Sequence, residues 1–133
     1  LGSTTAGEMV KLFETLQARK LVDEKSSDAM WKHLLTCDDK SKFPRFLPEG
    51  TKVAFKTGSI DEARTCAGVI ETKGGPVALC VMTNDNEDKR WGDENAGNVL
   101  CAKIAREVYD HFSAKAPTPA PSAASPGEAA ATK

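Results

Sequence analysis

Apolar residues fall three and four apart near the start of the chain, at Met9, Leu12, Phe13 and Leu16. That period predicts an amphipathic helix over about residues 6–20. Thr5 stands three residues ahead of Glu8, the spacing at which a hydroxyl and a carboxylate cap each other's backbone amides. Met30, Trp31, Leu34 and Leu35 predict a second, shorter helix over 27–35, with Ser26 or Ser27 as its cap. Residues 36–50 hold charge, Pro44 and Pro48 but no period, and read as an irregular connection.

The pattern then shortens to alternation. Lys52-Val53-Ala54-Phe55-Lys56-Thr57 places Val53 and Phe55 on one face of a strand, with Gly58 expected to end or bend it. Residues 66–72 form a second strand candidate and 77–83 a third. Between them Lys73-Gly74-Gly75 reads as a tight turn, because glycine tolerates the positive φ such turns need. Val77-Ala78-Leu79-Cys80-Val81-Met82 is apolar on both faces, as in a strand from the middle of a covered sheet. As the last of three strands it would instead be an edge, which points to a further strand beside it from outside this chain. After a polar loop over 83–92, a long helix is predicted over 94–112. Asp93 would cap it, and Ala96, Leu100, Ile104, Val108 and Phe112, flanked by Val99, Ala105 and Tyr109, would form a wide apolar arc along its inner face. Trp91 is expected to pack at its start and His111 to lie on the surface near its end. The fold class expected is α+β: an antiparallel three-stranded sheet packed by N- and C-terminal helices.

Composition narrows the picture. At 133 residues the chain holds one small domain. Its 18 Lys and Arg against 19 Asp and Glu give a formal charge of −1, which argues against whole-surface attraction to nucleic acid or an anionic membrane. No apolar run is long enough to span a membrane, and no basic segment precedes an apolar signal core. The first residue is Leu, so the native N-terminus is expected upstream. Residues 114–133 are rich in Ala, Pro and Ser and lack large apolar side chains. They are expected to form a disordered tail after a folded portion at 1–113. Cys37, Cys66, Cys80 and Cys101 form no CxxC element, and two distant His offer no zinc spacing, so neither a metal nor a cofactor is expected.

One tetrapeptide carries candidate chemistry. Lys56-Thr57-Gly58-Ser59 sets a cation, two hydroxyls and an uncluttered backbone at a strand end, a combination suited to an anion. Leu47-Pro48-Glu49-Gly50 precedes it, Gly68-Val69-Ile70 and residues 77–83 follow as strands, and Ala102-Lys103-Ile104-Ala105-Arg106-Glu107-Val108-Tyr109 fits the last helix. In this order and spacing the stretch 3–112 resembles the C-terminal half of the serine β-lactamase and penicillin-binding protein superfamily, most closely its class A-like members, which carry Lys-Thr-Gly on a strand facing the nucleophile.

The resemblance implies an incomplete β-lactamase-like fold and gives these residues roles. Lys56 would contribute positive charge near the nucleophile and the substrate carboxylate. Thr57 and Ser59 would hold that carboxylate through their hydroxyls, with Gly58 leaving room for the ligand. The backbone N–H of Ser59 would be one oxyanion donor, of a kind whose removal typically costs on the order of 3 kcal/mol. Arg64, with Arg45 as the other candidate, would grip the carboxylate with paired guanidinium bonds. A β-lactam or peptidoglycan-like carboxylate is the implied substrate of the intact parent, and a periplasmic or secreted location is implied with it. No Ser in the chain has Lys three residues later, and Ser27-Asp28 is followed by Ala29. The nucleophile and any deacylating glutamate therefore lie outside this chain, which alone is expected to be inactive. Alternatives are a peptidoglycan DD-peptidase or transpeptidase relative, and a non-catalytic binding or assembly module of the same fold. The partner expected for the third strand's edge is the missing N-terminal half or a second copy of the chain.

Overall fold

Local signals start each helix. The computed structural model describes residues 2–115. The Thr5 hydroxyl accepts from the Glu8 amide at 3.2 Å while the Glu8 carboxylate accepts from the Thr5 amide at 2.8 Å, closing the expected capping box. Helix α1, Ala6–Gln17, follows and buries Phe13 and Leu16. Helix α2, Glu24–Leu35, begins earlier than its apolar residues suggest, because Asp23 and not a serine caps it, accepting from the Ser26 amide at 2.7 Å. Ser27 is wholly buried and exchanges hydrogen bonds with the amide and carbonyl of Leu21, which ties the α1–α2 connection to the second helix.

A 3-10 turn, Phe43–Phe46, leads into strand β1, Val53–Ile60. Strands β2, Ala63–Thr72, and β3, Gly75–Thr83, complete an antiparallel sheet of order β1-β2-β3. Gly58 does not end β1: it pairs with Thr65, and the ladder runs on to Ile60 opposite Ala63. Of the two turn glycines it is Gly75 that takes a positive φ, +117°. Helix α3, Ala96–Ala114, closes the described chain. It runs one residue past the expected boundary of the folded portion. The expected tail beyond Lys115 lies outside the described residues.

The sheet is covered on both faces. Val53, Phe55, Cys66, Ile70 and Val81 pack with Phe43 against Cys101, Ala105 and Tyr109 of α3. Ala67 and Val69 pack on the other face with Phe13 of α1, flanked by Trp31 and Leu34 of α2. The inward line of α3 is shifted toward one flank of the expected arc, the flank of Ala105 and Tyr109. Gly97, Asn98, Cys101, Ala102, Ala105 and Tyr109 are buried, whereas Leu100 and Phe112 are exposed. Small residues let the helix axis lie close to the sheet, and the larger apolar side chains splay to its flanks. The cap of α3 is Asn95, whose side chain accepts from the Gly97 and Asn98 amides; Asp88 accepts from the Ala96 amide instead of Asp93 doing so. Among the described residues β3 is an edge strand, with Val81 buried and Met82 exposed.

Carboxylates are drawn below their ordinary range throughout this framework. The Thr5 amide does so for Glu8, the Ser26 amide for Asp23, Arg19 for Asp28, Lys89 for Glu62, and Arg90 with the Ala96 amide for Asp88. A depressed folded-state value gives stability that is complete above the unfolded value and is lost as pH falls through the folded one. The thermal midpoint is therefore expected to be flat from about pH 5 to 7 and to drop progressively below about pH 4. Melting curves recorded across that range check it, and a midpoint that rises on acidification would contradict it.

Candidate functional site

Strand alternation decides what Lys56-Thr57-Gly58-Ser59 presents. The Lys52 carbonyl accepts from the Glu71 amide across the sheet at 3.0 Å. Every second residue from there, through Lys56 and Gly58, turns its backbone groups toward β2. Val53, Phe55, Thr57 and Ser59 turn theirs to the outer edge of β1, which no described strand covers. The Ser59 N–H thus points away from the sheet, the direction required of an external donor.

The side chains divide by face. Thr57 and Ser59 share the face of Phe55 and α3, and Ser59 is exposed. Lys56 lies on the opposite face, exposed, beside an apolar groove of about 380 Å³ walled by Met9, Leu12, Phe13 and Leu16 of α1 and Met30 and Leu34 of α2. Its ammonium bends back to the strand edge and donates to the Thr57 carbonyl at 2.6 Å. A compact cation and two hydroxyls therefore flank one open stretch of backbone.

Arg64 pairs in register with Ser59, but its guanidinium turns away from the strand edge. It is 1% exposed, and it donates to the carbonyls of Ile60, of Ala63 at 2.9 Å and of Arg90 at 2.9 Å. The sequence reading offers this group to a substrate carboxylate; the structure commits it to backbone. It passes beneath α3 at Gly97, where a Cβ would lie 2.8 Å from its Cγ, and its head sits 5.2 Å from the Trp91 ring. Trp91 is not packed at the helix start: it is 67% exposed, and its indole N–H donates to Asp61 at 3.3 Å. Arg45, the second candidate, is directed to the Asp93 carbonyl and the Glu94 carboxylate. Neither arginine reaches the open edge in this arrangement.

A third cation contacts this stretch of β1 from beneath, and sequence reasoning missed it. Lys42, 1% exposed, donates to the Gly58 carbonyl at 3.0 Å and the Ser59 hydroxyl at 2.9 Å. Asp39 stands 3.8 Å from its ammonium. Burial alone would raise the Asp39 carboxyl, but the Ser41 hydroxyl and amide, aided by Thr57 and Lys42, bring it below its ordinary value. A lysine in a charged, proline-containing connection reads as solvated, and nothing local in the sequence marks it as buried. Among the described residues no cluster of His, Cys, Asp or Glu could hold a metal ion, and no helix is long and apolar enough to cross a membrane. All four cysteines are free. Burial pushes the Cys101 thiol up to about 11 and the Cys66 thiol higher still, which makes both poor nucleophiles.

Residues 2–112 match the model of the beta-lactamase enzyme family. The chain belongs to that family. A search of curated proteins finds no match. Solved structures share the fold. The TLA-1 extended spectrum beta-lactamase superposes with a TM-score of 0.72 at 24% identity, over 83% of this chain and 42% of that one. A beta-lactamase from Sphaerobacter thermophilus gives 0.70 at 22%, over 83% and 41%. PBP-A gives 0.65 at 22%, over 79% and 38%. The chain thus spans about two-fifths of the length of the structures it matches. The beta-lactamase family relationship and the α+β sheet read from the sequence are both seen here.

Proposed function

We propose that this chain supplies the substrate-binding wall of a serine β-lactamase-type acyl-transfer site, whose nucleophile comes from the portion of the fold that its longer relatives carry. The observation that carries this reading is the outer edge of β1, where the Ser59 N–H points outward between a lysine and two hydroxyls. In this reading a β-lactam lies along that edge with its carbonyl oxygen on the Ser59 N–H. As the nucleophile adds, charge grows on that oxygen, and a donor already fixed in place stabilises it without reorganisation. The Thr57 and Ser59 hydroxyls face the substrate carboxylate, and Lys56 raises the local positive potential. Arg64 serves by fixing the loop after β1 rather than by gripping the carboxylate itself. The outer edge of β3 is proposed to receive a strand from the rest of the fold, because its unpaired backbone groups need partners.

The chain by itself is expected to leave a chromogenic cephalosporin intact and to acquire no covalent adduct by mass spectrometry. No serine here has a lysine at helical spacing to activate it. Turnover that survives purification and is abolished by one serine substitution would overturn the assignment of the nucleophile to another segment. The coding sequence upstream separates the family's activities. Ser-x-x-Lys, Ser-x-Asn and a loop glutamate there support a lactamase, the first two without the glutamate a peptidoglycan peptidase, and loss of the serine a binding module.

A further inference from the structure

A lysine ammonium is rarely held out of water, because its desolvation must be offset by hydrogen bonds and a counter-charge. Lys42 is nonetheless buried beneath the one stretch of β1 that carries the candidate chemistry. A methionine would fill comparable space without a charge to desolvate. The bonds that Lys42 makes therefore indicate what it does.

Its two acceptors are the Gly58 carbonyl at 3.0 Å and the Ser59 hydroxyl at 2.9 Å. The Gly58 carbonyl and the Ser59 N–H belong to one peptide unit, and in a planar trans peptide they point in opposite directions. Pairing with Thr65 in the β1–β2 ladder turns that carbonyl inward and the N–H outward, and Lys42 adds a cationic donor that holds the same carbonyl there. The Thr65 hydroxyl, 3.5 Å from the same carbonyl, adds a weaker hold from β2. A cationic donor on a carbonyl also draws electron density through the peptide, which makes the N–H at its other end a stronger donor. The second bond acts on Ser59 itself. A hydroxyl that accepts from an ammonium keeps its own hydrogen free, so it can donate to a ligand oxygen. Asp39, fixed by the Ser41 hydroxyl at 2.6 Å and amide at 2.9 Å, keeps a negative charge 3.8 Å behind the ammonium and so balances it.

We propose that Lys42 is the positioning residue of this site: its buried ammonium locks and polarises the Gly58–Ser59 peptide that the β1–β2 ladder turns, so that the Ser59 N–H and hydroxyl both face the open edge as donors. The ligand chemistry this arrangement accepts is a pair of oxygen acceptors, a carbonyl and a carboxylate. That assignment rests on the acyl-transfer reading above, whereas the orientation of the peptide does not.

The test uses the chain as it stands, labelled with nitrogen-15 and carbon-13, and needs no ligand. In Lys42→Met the Ser59 amide resonance is expected to move upfield in both proton and nitrogen dimensions. Amides of Val53, Ile70 and Val81 should stay in place, and Lys42→Arg should restore most of the shift. A purely packing role predicts no such selective movement and no rescue by a second cation. A folded Lys42→Met chain whose Ser59 amide stays with its wild-type resonance would overturn the proposal. Should that variant fail to fold, the wild-type chain decides. A scalar coupling between Lys42 Nζ and the Gly58 carbonyl carbon is expected across their hydrogen bond, and its absence, with the ammonium protons in fast exchange with water, would refute it. Because no substrate enters, these outcomes are independent of whether the site acylates a β-lactam.

Discussion

Gly68→Ala is expected to abolish the native fold or to leave it only marginally populated. Gly68 lies in the middle of β2, opposite Phe55 on one side and Leu79 on the other. A Cβ there would fall 2.4 Å from the Ala54 carbonyl oxygen, 2.5 Å from the Phe55 Cβ and 2.7 Å from the Phe55 Cα. These atoms belong to the main chain or are fixed to it, so no rotamer change relieves the contact. Overpacking against mobile side chains costs about 1–3 kcal/mol, and a clash with backbone exceeds that range. Domains of this kind have a total stability of about 5–15 kcal/mol, so a loss above about 3 kcal/mol is a large part of it. The strand that would have to yield is β1, so the geometry of Lys56 to Ser59 would be lost with it. Urea unfolding followed by circular dichroism reads the effect, and an unchanged midpoint would contradict it. Gly7→Ala is the control. Its Cβ, at an exposed position in the first turn of α1, meets nothing nearer than the Thr5 hydroxyl at 4.0 Å, so stability should hold or rise by up to about 1 kcal/mol.

What the sequence revealed depended on how far apart the interacting residues were. The capping box needs Thr5 and Glu8 alone, and the hairpin between β2 and β3 needs little more than two adjacent glycines, so both were legible. Asp23 caps α2 in place of the serines, since Ser26 already lies inside the helix as the donor Asp23 accepts from and Ser27 turns its hydroxyl to Leu21, six residues back. Gly58 looked like a strand end because it lacks a side chain, yet pairing with Thr65 carries β1 through it. The inner line of α3 was centred on Leu100 and Phe112 with Ala105 and Tyr109 only at its flank, since period alone cannot tell that close approach to the sheet favours Gly97, Cys101 and Ala102. Within the candidate site, the Lys-Thr-Gly-Ser run was visible as a contiguous motif. Lys42 was not, because its partners lie 16 and 17 residues away, and its own neighbourhood is charged.

Arg64→Met should produce the second large loss, and it separates an anchoring arginine from a ligand-gripping one. The guanidinium is buried and ties the β1–β2 turn to the loop after β3, donating to the carbonyls of Ile60, Ala63 and Arg90. Methionine keeps much of the volume beneath Gly97 but supplies no donor. The Arg90 carbonyl keeps its bond from the Asn95 side-chain amide at 2.9 Å, so the loss falls on the charged-donor bonds themselves, worth about 1.5–3 kcal/mol each and partly replaced where water reaches the loop, and a total near 3 kcal/mol is expected. Arg64→Lys should recover little, because one ammonium on a flexible stem cannot reproduce a planar fork of donors. The loop that carries Trp91 would lose the Arg64 donor to its Arg90 carbonyl and the cation beside the Trp91 ring, so Trp91 fluorescence should change in the folded variant. Arg45→Met supplies the contrast: its partner Glu94 is well exposed, and loss of that ion pair is worth about 1 kcal/mol or less. If Arg64 were instead held ready for a ligand carboxylate, its removal would leave stability and Trp91 fluorescence near their wild-type values, and denaturation curves of the two methionine variants side by side distinguish these cases.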